Sequence, residues 1–239
     1  MALTFFVSSL IGIIPIILWL IFFLWQDIKK PEPFHWIFIF FFLGMLITPI
    51  VWFLENGLIK LFGVNIGDSL PFVLLLIIYG GAALIEELAK FLTVFLFIRG
   101  NRYFDEAIDA MIYMIVLALG FGMVENILIA HSEISKGAFL LPVLMIMSLR
   151  FVGANLIHAL SSGVIGFFWA LKLVHKKNSY LYWGLLLGVV LHGLFNIAII
   201  KFGSDAVFVM SLILFVVTAF LLWAFDALKK IKIKLRLIK

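Results

Sequence analysis

Cysteine is absent from this chain, and charge is scarce. The first absence excludes disulfides, a thiol nucleophile and thiolate metal ligands. The second decides the solvent: only 13% of the 239 residues are charged, 65% are hydrophobic, and mean hydropathy is +1.25. A water-soluble domain of this length carries far more polar surface, so the chain reads as an integral membrane protein. Internal repeats, low-complexity stretches and long polar connections are also missing. That excludes an appended soluble domain and leaves one transmembrane domain over residues 1–239, whose activity lies in the membrane or at its surface. The net charge of +5 is not read as nucleic-acid binding, because in a membrane protein the placement of positive charge reports topology instead.

What the chain does have is apolar runs, at about 3–25, 34–54, 70–98, 107–130, 139–171, 180–200 and 206–226. Each is near or above the roughly 20 residues that cross a bilayer as a helix, so the expected fold is an all-α bundle of about seven transmembrane helices. The first run lacks a charged leading region and a small-residue cleavage site, and it is too long for a signal-peptide core, so a retained anchor is expected. Basic residues sort by connection. Lys29, Lys30, Arg99, Arg102, Lys172, Lys176, Lys177 and the six of the tail after Leu228 fall on one side, against Lys60, Lys136 and Lys201 on the other. The positive-inside rule then puts the N-terminus outside and the C-terminus in the cytoplasm. The tail IKIKLRLIK alternates basic and apolar residues and is expected to lie on anionic headgroups.

Ionisable residues inside such runs are costly, about 2.5–3.5 kcal/mol each at a helix centre, so they normally face protein or a water-filled cavity. Helix 3 carries Glu86, Glu87 and Lys90 in GAALIEELAKFLTVFLF; helix 4 carries Glu125 and Asn126, helix 5 Asn155 and His158, and helix 6 His192 and Asn196. Helices 1, 2 and 7 have none in their central turns, so polarity is expected in four consecutive helices only. At 1.5 Å per residue, Glu86, His158 and His192 lie roughly 18–20 Å from the cytoplasmic helix ends, and Glu125 can reach that level. Glu86 and Lys90 share a helix face at i,i+4, and Glu87 and Lys90 meet at i,i+3, so one ammonium can serve either acid. Gly80, Gly81, Ala82 and Ala83 let a neighbouring helix approach. A lone buried histidine is ordinarily a structural hydrogen-bonding group. Three carboxylates and two histidines converging on one level point to chemistry. Arg150 and Asn155 are candidates for support around them.

Several intramembrane chemistries lack their residues here. There is no HExxH zinc motif, and NIGD at 65–68 lacks the first glycine of a Gly-x-Gly-Asp pair. Ser161 and Ser162 follow His158 but read as packing residues, and the last helix has no lysine for a retinal Schiff base. Asp105 and Asp109 read as caps of helix 4. Glutamates and histidines remain as the reactive groups.

In this ordered set the chain resembles the PrsW family of intramembrane proteases. EELAK at 86–90 is similar to its EExxK motif, GFGMVEN at 120–126 to Phe-x-x-x-Glu-Asn, and HGLFN at 192–196 to His-x-x-x-Asn. His158 stands where a further family histidine is expected, and DIKKPEP and YFDEAIDAMIY resemble flanking patterns. The related CAAX prenyl proteases carry Arg and His where this chain has Lys90 and Glu125. The resemblance implies hydrolysis of a peptide bond in a membrane-anchored protein, an anti-sigma-factor-like regulator in known members, in the cytoplasmic membrane of a prokaryote. It points to Glu86, Glu87, Lys90, Glu125, Asn126, His158, His192 and Asn196 as catalytic. Two mechanisms fit. In one, Glu86 is a metal-free general base while His192 and Asn196 stabilise the oxyanion. In the other, His158, His192 and Glu125 hold zinc and Glu86 is again the base. The alternative from another class is a proton- or cation-coupled transporter or channel using the same acids.

Overall fold

A computed structural model describes residues 2–64, 70–98, 101–138 and 140–231. NIGD, Arg99 and the basic stretch 232–239 lie outside the described residues, and with them the expected contact of the tail with headgroups. The architecture is all-helical: α1 (Ala2–Leu24), α2 (Phe34–Leu61), α3 (Phe72–Phe97), α4 (Asp109–Ser135), α5 (Leu140–Val152), α6 (Ala154–His175), α7 (Asn178–Phe202) and α8 (Ser204–Lys229). No strand occurs among the described residues. Seven of their segments are long and apolar enough to cross a membrane, with α5 and α6 together forming one of them.

Three elements differ from the hydropathy reading. First, α2 runs on to Leu61, seven residues past the apolar run expected to end at 54. Glu55, Asn56 and Gly57 lower the hydropathy there, but no proline intervenes and Leu58, Ile59 and Leu61 carry the helix on. Second, α3 contains a π-type turn at Leu76–Gly80, immediately before the GAALIEELAK stretch. Such a turn widens the helix and often marks a functional site. Third, the single helix expected over 139–171 is two, broken at Gly153, where φ is −113° and ψ is −91°. A Cβ at Gly153 would lie 3.0 Å from the Leu149 carbonyl oxygen and 3.2 Å from the Phe195 ring, so glycine makes the break possible.

The bundle is organised around α4. This helix is apolar on nearly every side and is buried continuously from Asp109 to Gly122, because α1, α2 and α6 pack round it. α6 then contacts α7, and α3 fits between α2 and α7. Without a hydrophobic driving force between helices in lipid, close backbone approach does much of the work. The α2–α4 crossing is the tightest: a Cβ on Gly44 would sit 2.0 Å from the Leu117 carbonyl oxygen, and one on Gly120 would sit 2.0 Å from that of Phe41. On α1, Trp19 donates its indole N–H to the Phe151 carbonyl at 2.8 Å, which pins the end of α5 beside the Gly153 break. Large apolar side chains such as Phe38, Phe53, Phe208 and Phe215 are exposed on the outer faces, as a lipid-facing surface requires.

At one end of the bundle, Lys30 bridges Asp105 at 3.0 Å and Glu106 at 3.2 Å. Asp109 accepts the backbone N–H groups of Asp105 and Glu106 at 2.9 and 2.8 Å. The expectation that both aspartates cap helix 4 is therefore corrected: Asp109 ties down the turn before the helix, and Asp105 is engaged by the α1–α2 connection. Burial raises the Glu32 carboxyl in that connection above its ordinary pKa range.

Gly120→Val is expected to destabilise the protein by about 1–3 kcal/mol or more, since it forces two backbones apart rather than displacing a flexible side chain. Equilibrium unfolding in detergent measures this; wild-type stability would contradict the close crossing.

Candidate active site

The reason three charges can sit in α3 is that they satisfy one another. Lys90 is fully buried, and its ammonium donates to Glu86 Oε2 at 3.0 Å and to Glu87 Oε1 at 2.8 Å. Its third contact is His158 Nδ1 at 3.0 Å, on α6. The aromatic face of Phe121 covers it, with the ammonium 4.4 Å from the ring centroid. All three ammonium hydrogens thus have acceptors, which is what burial of a point charge demands.

The two glutamates differ in what remains open. Glu87 has no exposed surface; besides Lys90 it accepts from His192 Nδ1 at 2.9 Å and from the Ser162 hydroxyl at 2.7 Å. Ser162, read from sequence as a packing residue, is therefore a hydrogen-bonding member of the site. Glu86 instead borders open space, and its Oε1 has His192 Nε2 3.9 Å away. Adjacent positions on a helix point about 100° apart, and here one acid turns into the protein while the other turns toward space.

Each imidazole is held by a carboxylate on its outer nitrogen and presents its inner nitrogen to Glu86. His192 has Glu87 on Nδ1 and points Nε2 at Glu86. His158 has Glu125 on Nε2 at 2.9 Å and places Nδ1 3.5 Å from Glu86. The rings meet edge to face with centroids 4.9 Å apart. A carboxylate is an acceptor, so in the neutral form of each ring the outer nitrogen carries the hydrogen and the inner nitrogen is left as a lone pair.

Glu125 is fixed from the other side by Arg150, whose Nη2 lies 2.9 Å away. The same guanidinium donates through Nε to Asn126 Oδ1 at 2.6 Å, and Asn126 Nδ2 donates to the Gly12 carbonyl at 3.0 Å. Arg150 reaches this position because α5 ends at the Gly153 break, three residues on. Asn126 thus ties α4 to α1 and α5 rather than facing Glu86. Asn155 is buried with both amide atoms unpartnered, and its Oδ1 lies near Gly122.

Two cavities adjoin Glu86. One, of about 370 Å³, is bordered by Trp52, Glu125, Ile157, His158 and His192. The other, of about 330 Å³, is bordered by Glu55, Leu58, Tyr79 and Phe195. Both also touch Glu86, Arg150, Ala154 and Asn196. Asn196 is half-buried and lines both. Glu55 is the acid that the sequence reading missed. It sits in the continuation of α2 and its carboxyl hydrogen-bonds that of Glu86. Polarity is therefore not confined to four consecutive helices; the signal available in the sequence was the apolar i+3, i+4 and i+6 positions that prolong α2 beyond Glu55.

Donor atoms of Glu86, Glu87, His158 and His192 all lie within 4.8 Å of one another. This is the group that converges, rather than His158, His192 and Glu125, because Glu125 meets His158 on the side away from Glu86. Two imidazoles and a carboxylate are a usual catalytic zinc set, and carboxylates on the outer nitrogens are the usual way such histidines are oriented. The donor chemistry fits the metal.

Residues 32–224 match the model of the PrsW family of intramembrane metalloproteases. The chain belongs to that family. It is 30% identical over 216 residues to Protease PrsW of Clostridioides difficile, covering 90% of this chain and 86% of the relative. It is 28% identical to Protease PrsW of Geobacillus kaustophilus over 187 residues, 77% of this chain and 76% of that one. Against Protease PrsW of Bacillus subtilis it is 27% identical over 188 residues, 77% and 79% of the two chains. No solved structure matches. As a PrsW-family member the chain is a peptidase and an integral membrane protein of a prokaryote, and the transporter alternative is not favoured.

In this PrsW-family site, Lys90→Met is expected to cost about 3–5 kcal/mol of stability, because it strands buried carboxylates. Combining it with Glu87→Gln should restore part of the loss. Unfolding curves of the single and double variants in detergent measure the coupling; additive effects would sever the proposed dependence.

Proposed function

We propose that this protein hydrolyses a peptide bond of a membrane-anchored protein with water activated between Glu86 and His192. The observation that carries the reading is the gap between Glu86 Oε1 and His192 Nε2, 3.9 Å wide, between two residues that line the 370 Å³ cavity. A water bridging these two acceptors directs both hydrogens at them and leaves a lone pair toward the cavity. As that oxygen bonds to the scissile carbonyl carbon, Glu86 takes a proton from it. The Asn196 amide, which lines both cavities, is the donor available to the oxyanion. The proton held by Glu86 then passes to the departing amine as the carbon–nitrogen bond breaks. Glu87, Lys90 and Glu125 position the reacting groups, and Glu55 can share the proton on Glu86. Apolar walls beside an acid suit an unwound segment of a single-span protein, and the resemblance in the motifs extends this to anti-sigma-factor-like regulators. The basic connections support a cytoplasmic end at Lys29, Lys30 and Lys172.

A second reading rests on the carboxylates that orient both imidazoles, together with the family's description as metalloproteases. His158 Nδ1, His192 Nε2 and Glu86 are the donors that would hold zinc. A bound zinc supplies Lewis-acid polarisation of the carbonyl and a more acidic water. The Lys90 ammonium, already within 3.0 Å of Glu86, Glu87 and His158, favours the first reading, since a second cation there meets like charge.

Purified protein incubated with a panel of single-span membrane proteins should cleave at least one of them. Glu86→Gln should lower that rate by about 100-fold or more while leaving the unfolding midpoint near wild type; undiminished turnover eliminates Glu86 as the base. Exhaustive chelation is expected to leave cleavage intact. Activity lost on chelation and restored by zinc alone, with zinc content that falls in Glu86→Gln, would move the assignment to the metal form.

A further inference from the structure

A second group of acids lies far from the Glu86 site, at the end of the bundle where α1 turns into α2 and α4 begins. Asp109 opens α4 sixteen residues before Glu125, about 24 Å along the helix. We propose that Asp27, Glu32 and Asp109 form a binding site for a hard divalent cation, one that clamps the end of α1 and the α1–α2 connection to the start of α4.

Convergence is the first observation. One carboxylate oxygen from each residue lies within 4.8 Å of the others. Acids gathered in this way are common without an ion, so convergence alone decides nothing. The second observation is what two of them lack. Asp27 is only 6% exposed and Asp109 is fully buried, yet Asp27 Oδ2 has no hydrogen-bond partner and Asp109 Oδ1 takes no hydrogen bond from an N–H or hydroxyl group. A buried carboxylate oxygen stripped of water and left unbonded is costly, and native structures rarely leave one so.

The nearby cations do not fill the need. Lys30 is spent on Asp105 and Glu106, and Lys229 pairs with Asp226 at 3.2 Å. Among the described residues no ion pair reaches Asp27, Glu32 or Asp109. Their remaining oxygens are held by the surrounding structure. Asp109 Oδ2 takes the two backbone N–H groups of Asp105 and Glu106, and Glu32 accepts the Tyr113 hydroxyl, which in turn accepts from Asn101 at 3.2 Å. Such outer contacts orient carboxylates around a cation. A cavity of about 650 Å³, lined by Asp27, Glu106 and Asp226 together with four lysines, opens beside Asp27.

The donors identify the ion class. They are all oxygen, with neither imidazole nor sulfur, which selects hard ions such as Ca²⁺, Mg²⁺ or Mn²⁺ over zinc. Calcium–oxygen distances of about 2.3–2.6 Å let oxygens round one ion stand up to roughly 4.6–5.2 Å apart, a limit that includes separations within 4.8 Å. Magnesium, at about 2.0–2.1 Å, demands closer and stricter octahedral geometry, which makes it the less adaptable occupant. The rival account is that Glu32 and Asp109, which are in hydrogen-bond contact, share a proton and need no ion.

The test uses the full chain in detergent after chelation, in a Glu86→Gln background so that ions at the intramembrane group do not enter the count. Cleavage is not the readout, so the outcome is independent of the proposed mechanism. Calorimetric titration with Ca²⁺ alone, repeated with Mg²⁺ and with Mn²⁺, should find one ion bound per chain, Ca²⁺ or Mn²⁺ tighter than Mg²⁺, with an unfolding temperature that climbs with ion concentration. Asp27→Asn, Glu32→Gln and Asp109→Asn should each weaken binding on the order of tenfold or more. Ion-free Asp109→Asn should be at least as stable as the ion-free parent, because asparagine keeps an oxygen for the two backbone N–H groups and removes a negative charge. If that variant fails to fold, the other two carry the test. No binding of any of the three ions at millimolar concentration, or binding that survives Asp27→Asn and Glu32→Gln, would overturn the site and leave the shared proton.

Discussion

A fully buried ammonium has to find three acceptors or leave the membrane interior, and the placement of Lys90 among Glu86, Glu87 and His158 meets that demand. From this one satisfied charge a continuous set of hydrogen bonds spreads. Glu87 holds Ser162 and His192; His158 holds Glu125; Glu125 holds Arg150; and Arg150 holds Asn126, which ends on the Gly12 carbonyl of α1. Six helices, α1 and α3 to α7, are joined through polar contacts in a chain otherwise built from apolar surface. In lipid there is little hydrophobic reward for helix association, so such a network together with close glycine contacts must supply much of the specificity.

The same network divides labour between two neighbouring acids. Glu87 is saturated and sealed, with His192 Nδ1 held 2.9 Å from its Oε1. Glu86 shares the same ammonium but borders cavities shared with Arg150 and Asn196. A reactive carboxylate needs this combination: enough fixed charge nearby to hold its position, and one edge free to meet water. Structural breaks serve the site as well. The π-type turn precedes the glutamates on α3, and the Gly153 break delivers Arg150 to Glu125.

Much of this was legible from residue order. Seven spans follow from apolar length, and the shared level of Glu86, His158 and His192 follows from helical rise. The i,i+3 and i,i+4 contacts of Lys90 with both glutamates follow from helix geometry alone. Other parts were not legible. Glu55 fell beyond a hydropathy boundary because a helix can continue through polar residues once packing supports it. Ser162 looked like a packing residue because nothing in sequence says which face of α6 meets Glu87. Gly153 could be read as one more small residue; its break depends on Phe195 and Leu149 crowding the space where a side chain would lie.

The sequence by itself determined the solvent, the number of apolar spans, and most of the ionisable residues that had to be brought together, because the cost of stranding charge in hydrocarbon is set by residue type and position along a helix. Only the tertiary structure decided which nitrogen of each histidine faces Glu86, which glutamate stays open, and that Glu125 reaches His158 from outside the cluster. Those outcomes depend on how helices rotate and cross, and that rotation is set by contacts between residues far apart in the chain.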